Sequence, residues 1–157
     1  MNAIRVALLA GAVCAPISGN LAHAADMEFN STVLSTCGIV VTRDGELAPR
    51  QNARILTSGG AGAQHGLATV TANSNLFQLH VDQPTDFDVR PAADTAPEQD
   101  FRARIRSNGA TTFGWTRNSQ DLNAGSHNVR IQFRARKAPG VSFANGFYSA
   151  TVVIRCE

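Results

Sequence analysis

The residues of this chain whose types and spacing could do chemistry are two cysteines and a run of arginines. The 157-residue sequence carries three cysteines. Cys14 falls in an N-terminal segment, residues 1–24, that reads as an export signal. Arg5 supplies the positive flank, Val6 to Val13 an apolar run too short to span a bilayer, and Ala22-His23-Ala24 a small-x-small cleavage site. Gly11, Ala12 and Val13 precede Cys14 where a lipidation signal has a leucine-like residue and then Gly or Ala, so Cys14 is expected to leave with the signal. Residues 25–157 then hold Cys37 near their start and Cys156 one residue from their end. In an oxidising compartment the expected state is one Cys37–Cys156 disulfide, with two free thiols or an intermolecular bridge as the alternatives.

Arg102, Arg104 and Arg106 alternate with Phe101, Ala103 and Ile105. Arg130, Gln132, Arg134 and Arg136 alternate with Val129, Ile131, Phe133 and Ala135. If both runs are strands of one sheet, the six guanidinium groups share a face. Guanidinium forks contact phosphate or carboxylate bidentately, so the face could bind surface polysaccharide, lipopolysaccharide phosphates or another polyanion. A solvated face that discourages edge pairing is the plainer alternative. Nucleic acid is not an expected partner. Of 14 Lys+Arg, 13 remain after loss of Arg5, against 12 Asp+Glu, a net charge of +1. Aromatic residues between the arginines are sparse.

Other candidate chemistry is thin. His65, His80 and His127 lack neighbouring ligands, apart from Asp82 two residues after His80 on a strand face. No Gly-x-Ser-x-Gly elbow occurs, and no nucleophile, base and orienter can be named. Gly59-Gly60-Ala61-Gly62-Ala63 lacks the Lys-Ser/Thr ending of a phosphate cradle. The expectation is therefore a protein that is not an enzyme, with no metal and no cofactor. Asn30-Ser31-Thr32 matches a glycosylation sequon formally and is discounted for a bacterial-type signal.

The elements that would position these residues are strands. Met27 to Leu34 alternates as a first strand, and Cys37 to Thr42 follows as a second. Leu47 to Ser58 is ambiguous, because Pro49 argues against a central strand. Leu67–Ala72 and Phe77–Val81 read as a hairpin across Asn73-Ser74-Asn75. Phe87 and Val89 form a short extended piece, and 92–100 reads as an exposed loop. The two arginine runs follow, joined by a polar connection, 109–123, whose Phe113 and Trp115 are expected to cover one end of the core, with a loop aromatic pair that contacts sugar as the alternative. Asn145-Gly146 opens a closing strand with Tyr148, Ala150, Val152, Ile154 and Cys156 on one face. No long stretch has a helical period. Seven or eight short strands between Gly, Pro and Asn turns predict one antiparallel β-sandwich domain over 25–157.

Three blocks carry a family resemblance. Met27 to Cys37, with Phe29 and Val33 leading to the cysteine, resembles the start of chaperone–usher pilin subunits. Leu122 to Val129, followed by Ile131-Gln132-Phe133-Arg134-Ala135, resembles their late Leu-x-x-Gly turn and strand. The ending Gly146-x-Tyr148-x-Ala150-Thr151-Val152-x-Ile154 is similar to the C-terminus of fimbrial subunits and of the spore coat U, or secreted pilin, family. The resemblance implies an immunoglobulin-like sandwich and a structural or adhesive role at the cell envelope, in the periplasm, on the surface or secreted. It implies that the strand bearing Tyr148, Ala150, Val152 and Ile154 pairs with a periplasmic chaperone, with sibling subunits as further partners. Cys156 stands where such subunits usually have tyrosine. An end-to-end staple fits the alternative function, a self-complete sandwich binding anionic glycans through its arginine face.

Overall fold

The longest alternating runs make the longest strands. The structure is a computed structural model that describes Glu28 and residues 30–157. In chain order the strands are β1 (Cys37–Arg43), β2 (Ala48–Arg50), β3 (Ile55–Thr57), β4 (Gly66–Ala72) and β5 (Gln78–Val81). They continue with β6 (Glu98–Gly109), β7 (Phe113–Thr116), β8 (Gln120–Asp121), β9 (Gly125–Lys137) and β10 (Ile154–Cys156). Among the described residues there is no helix. Two antiparallel sheets form, one of seven strands and one of three, giving a β-sandwich-like fold. Residues 1–24, which read as an export signal, lie with Cys14 outside the described residues.

The thirteen-residue β9 is the spine of the larger sheet. One edge pairs along its length with β6, and the other pairs first with β4 and then with β3. β1 extends beyond β4, β2 beyond β3, and β7 beyond β6. Pro49 sits in β2, an edge strand, where its missing N–H leaves no ladder bond unmade. The small sheet runs β10-β5-β8. Residues at period two from both sheets fill the interior: Val70, Leu79, Ala103, Ile105, Leu122 and Val129 form one cluster. A second is aromatic, with Phe87 ring centroids 5.1 Å from Phe101 and 5.1 Å from Tyr148, and Phe133 and Phe143 close by.

Several expectations are corrected. No strand forms over residues 30–36, where Val33 and Leu34 are exposed; Met27 and Phe29 lie outside the described residues. Asn73 holds this segment instead, accepting from the Thr36 N–H at 2.7 Å and donating to the Leu34 carbonyl at 2.8 Å. β4 and β5 form, but not as a hairpin: the turn carries the chain from the large sheet to the small one. The polar connection contains β7 and β8. Phe113 packs on the core as expected, whereas Trp115 stands on the outer face beneath arginines. Of the closing run only Ile154–Cys156 joins a ladder; before it, Ser149 makes an isolated bridge to Val89.

The disulfide Cys37–Cys156 is present, with a Cα separation of 6.2 Å, within the ordinary range. It joins β1, the edge of the large sheet, to β10, the edge of the small one.

Candidate functional site

The terminal segment lies against residues 78–89 through its odd-numbered residues. Glu157 and Gln78 exchange two backbone bonds, Asp82 N–H donates to the Val153 carbonyl at 2.9 Å, and Ser149 and Val89 exchange two more. In an antiparallel strand the N–H and C=O of alternate residues point to opposite edges. The main-chain groups of Ala150, Val152 and Ile154 are therefore directed to the other edge. Among the described residues, Ala150 and Val152 have no backbone partner there. Their side chains, with Tyr148 and Ile154, are half-buried and face inward, as the sequence predicts.

Beside this free edge a groove of about 900 Å³ opens between the terminal segment and the β1–β2 side of the large sheet. Leu56, Ile131, Phe133 and Phe143 supply its apolar floor; Val41, Leu47 and Pro49 also line it. Phe147 stands 73% exposed at its rim. An unpaired strand edge beside exposed core side chains is the geometry that accepts an added strand. Neither cysteine of the disulfide lines the groove.

A buried ionic knot braces the opposite end of the segment. Lys137, the last residue of β9, follows the alternation inward and is fully buried. Its Nζ lies 2.8 Å from Asp94 and 3.0 Å from Glu98 and also donates to the Ala96 carbonyl. A register shift between Glu98 and Asp100 makes this possible, setting Glu98 opposite inward Lys137 and Asp100 opposite outward Arg136. Tyr148 Oη donates to Asp94 at 2.9 Å, and the same single proton is within reach of the Ala144 carbonyl at 3.0 Å. Burial, then the bond to the Asp94 carboxylate, pushes the Tyr148 hydroxyl up to about 12.

The six arginines do come together on the outer face of the large sheet. The register sets Arg102 opposite Arg134, Arg104 opposite Gln132 and Arg106 opposite Arg130, with Arg136 following. One carboxylate enters the patch. Asp100 takes Arg102 at 2.6 Å and Arg134 at 3.2 Å. Burial raises its carboxyl, but those two arginines outweigh burial and hold it below the usual carboxylate range. Arg104 Nε donates at 2.6 Å to Gln132, a neutral partner. The guanidiniums of Arg104 and Arg106 stand 5.0 and 5.5 Å from the Trp115 ring centroid. Trp115 is the residue that sequence reasoning left out of this face; it occupies a four-residue strand inside a stretch that reads as polar loop.

The histidines have separate surroundings. His127 is fully buried; its Nδ1 accepts from the Thr111 N–H at 3.1 Å, which leaves Nε2–H to donate to the Asn123 carbonyl at 3.0 Å. Asp82, the neighbour of His80, is engaged by Arg155 at 2.9 Å. His65 packs 5.1 Å from Trp115, and burial followed by the charges of Arg130, Arg106, Arg104 and Arg43 lowers its pKa. Among the described residues no helix is long and apolar enough to cross a membrane.

No family model, curated protein or solved structure matches this chain.

Proposed function

We propose that this protein is an exported structural or adhesive subunit of the pilin and coat-U kind. On this reading it is an immunoglobulin-like sandwich whose groove takes an extended strand from another chain, first a periplasmic chaperone and then a sibling subunit. The observation that carries the reading is the unpaired main chain of Ala150 and Val152 alongside an open apolar groove. An added strand would gain hydrogen bonds from that edge and bury alternate side chains on the Leu56–Ile131–Phe133 floor. The resemblance of the C-terminal strand to fimbrial subunits supports the same assignment, and the disulfide is compatible with export.

Residues 25–36 supply a candidate strand. They precede the disulfide, alternate through Phe29, Ser31 and Val33, and join no strand where described. The test compares the chain beginning at Ala25 with one beginning at Thr36, each followed by light scattering across a concentration series and by mixing with a periplasmic pilus chaperone. The reading predicts chaperone capture of both, and assembly only of the longer chain. A stable monomer that neither binds the chaperone nor assembles contradicts it.

A further inference from the structure

The outer face of the large sheet carries a second feature, separate from the groove because it is built from the opposite set of β9 residues. Gln132 and Arg134 point outward where Ile131 and Phe133 point in. Here Arg102, Arg104, Arg117, Arg134, Gln132 and Trp115 bound a cleft of about 320 Å³. We propose that this cleft binds one acidic sugar residue of a glycan, its ring against the Trp115 indole and its carboxylate or sulfate on Arg104 and Arg117.

Charge accounting selects an anion. Asp100 occupies Arg102 and Arg134, the two guanidiniums on one side of the cleft. Arg104 meets the neutral amide of Gln132 and the Trp115 ring, and neither it nor Arg117 has an ion-pair partner among the described residues. Two cations lining the cleft thus remain for a ligand, beside the Trp115 ring.

Shape and stiffness select a ring over a bare ion. Trp115 is the chain's single tryptophan, half-buried with one part lining the cleft. Arg104 and Arg106 lie against the indole, so it is fixed before any ligand arrives, which limits the ordering cost of binding. The volume lies near the lower end of small-molecule sites, where one or two sugar rings fit. A polynucleotide fits less well, since it needs successive stacking platforms and this face offers one. The inference does not depend on strand acceptance in the groove. A monomer and a polymer would present the same cleft.

Trp115 also provides the assay. The protein is titrated, following tryptophan emission at constant ionic strength, with oligogalacturonate, sulfated dextran oligomer, neutral dextran, inorganic sulfate and a single-stranded oligonucleotide. The expected result is a saturable change with an acidic oligosaccharide and none with neutral dextran; comparing the carboxylated and sulfated sugars identifies the preferred oxyanion. Arg104→Ala with Arg117→Ala should weaken that binding about tenfold or more, given the worth of charge-assisted hydrogen bonds, while Arg50→Ala on β2 leaves it unchanged. Retention on an immobilised acidic glycan provides a readout that does not use the indole. Circular dichroism checks that each variant is folded, and Arg117→Ala alone, at an exposed position, keeps the test available should the double variant unfold. An equal response to inorganic sulfate, tighter binding of the oligonucleotide, no response to either acidic sugar, or unchanged affinity in folded variants overturns the proposal.

Discussion

Replacing both cysteines by serine should remove a large part of the stability of this domain. The crosslink spans a sequence separation of 119 residues. In the chain-entropy account, closing a loop of that size removes about 5 kcal/mol of freedom from the unfolded chain. Single domains are stable by only about 5–15 kcal/mol, so the loss is a large fraction of the whole. The local consequence is uneven. β10 is three residues long and pairs on one side only, with β5, while its other tie is Cys156 to β1. Freed of that tie, the terminal segment should fray before the large sheet, whose β6–β9 ladder is independent of the disulfide. Urea unfolding of the Cys37→Ser/Cys156→Ser protein against the oxidised protein measures the total, and amide exchange at Arg155 and Glu157 measures the fraying. A loss below about 1 kcal/mol, with those amides still protected, would refute the claim that the staple holds the terminal segment.

Lys137→Met should cost about 3–5 kcal/mol in urea unfolding, because it strands Asp94 in the interior without a cation and leaves Glu98 only Arg90, at 3.4 Å. Adding Asp94→Leu and Glu98→Met should recover most of that loss; a single variant as stable as the parent contradicts the ionic knot. Tyr148 is the only tyrosine, so phenolate absorbance follows it alone, with an expected midpoint of about 12. Its folded pKa lies above the unfolded value of about 10, so this contribution is intact below pH of about 10 and lost as pH rises through the folded midpoint. Asp94→Asn should move the midpoint down, and a parent midpoint of about 10 would count against the Tyr148–Asp94 bond. For His65 the sign is reversed: its depressed pKa withdraws stability as pH falls below about 6.5, and imidazole titration by NMR should place its midpoint under that of an ordinary histidine.

Period-two alternation made β9 and β6 from Phe101 onward legible, along with the arginine face they create, whereas residues 98–100 of β6 and the buried Asp94 fall in a stretch that reads as exposed loop. Cysteine position and compartment made the disulfide legible. What escaped depends on relations between distant segments. Asn73-Ser74-Asn75 announces a reversal, but turn chemistry does not state which sheet receives the next strand. Lys137 ends an alternating run, and no residue near it in sequence names a partner. Only the register shift after Glu98 brings an acid to it inside the fold. Trp115 reads as a core cover beside Phe113, and its place on the arginine face depends on how β7 pairs with β6 across a register shift. The terminal run reads as one continuous strand from its β-branched residues. Yet strand propensity reports on a residue's fit to a pleated surface, and the groove exists because no neighbouring strand lies beside Ala150 and Val152.

That free edge is the centre of the functional account, and hydrogen exchange resolved by residue addresses it directly. The protein beginning at Thr36 would be measured with and without a peptide spanning residues 25–36. The account predicts that Ala150 and Val152 amides exchange rapidly alone and become protected when the peptide is added, while Ser149, bonded to Val89, is slow in both states. Protection of Ala150 and Val152 without the peptide, or no change on adding it or a chaperone strand, would contradict the claim that this groove receives a strand.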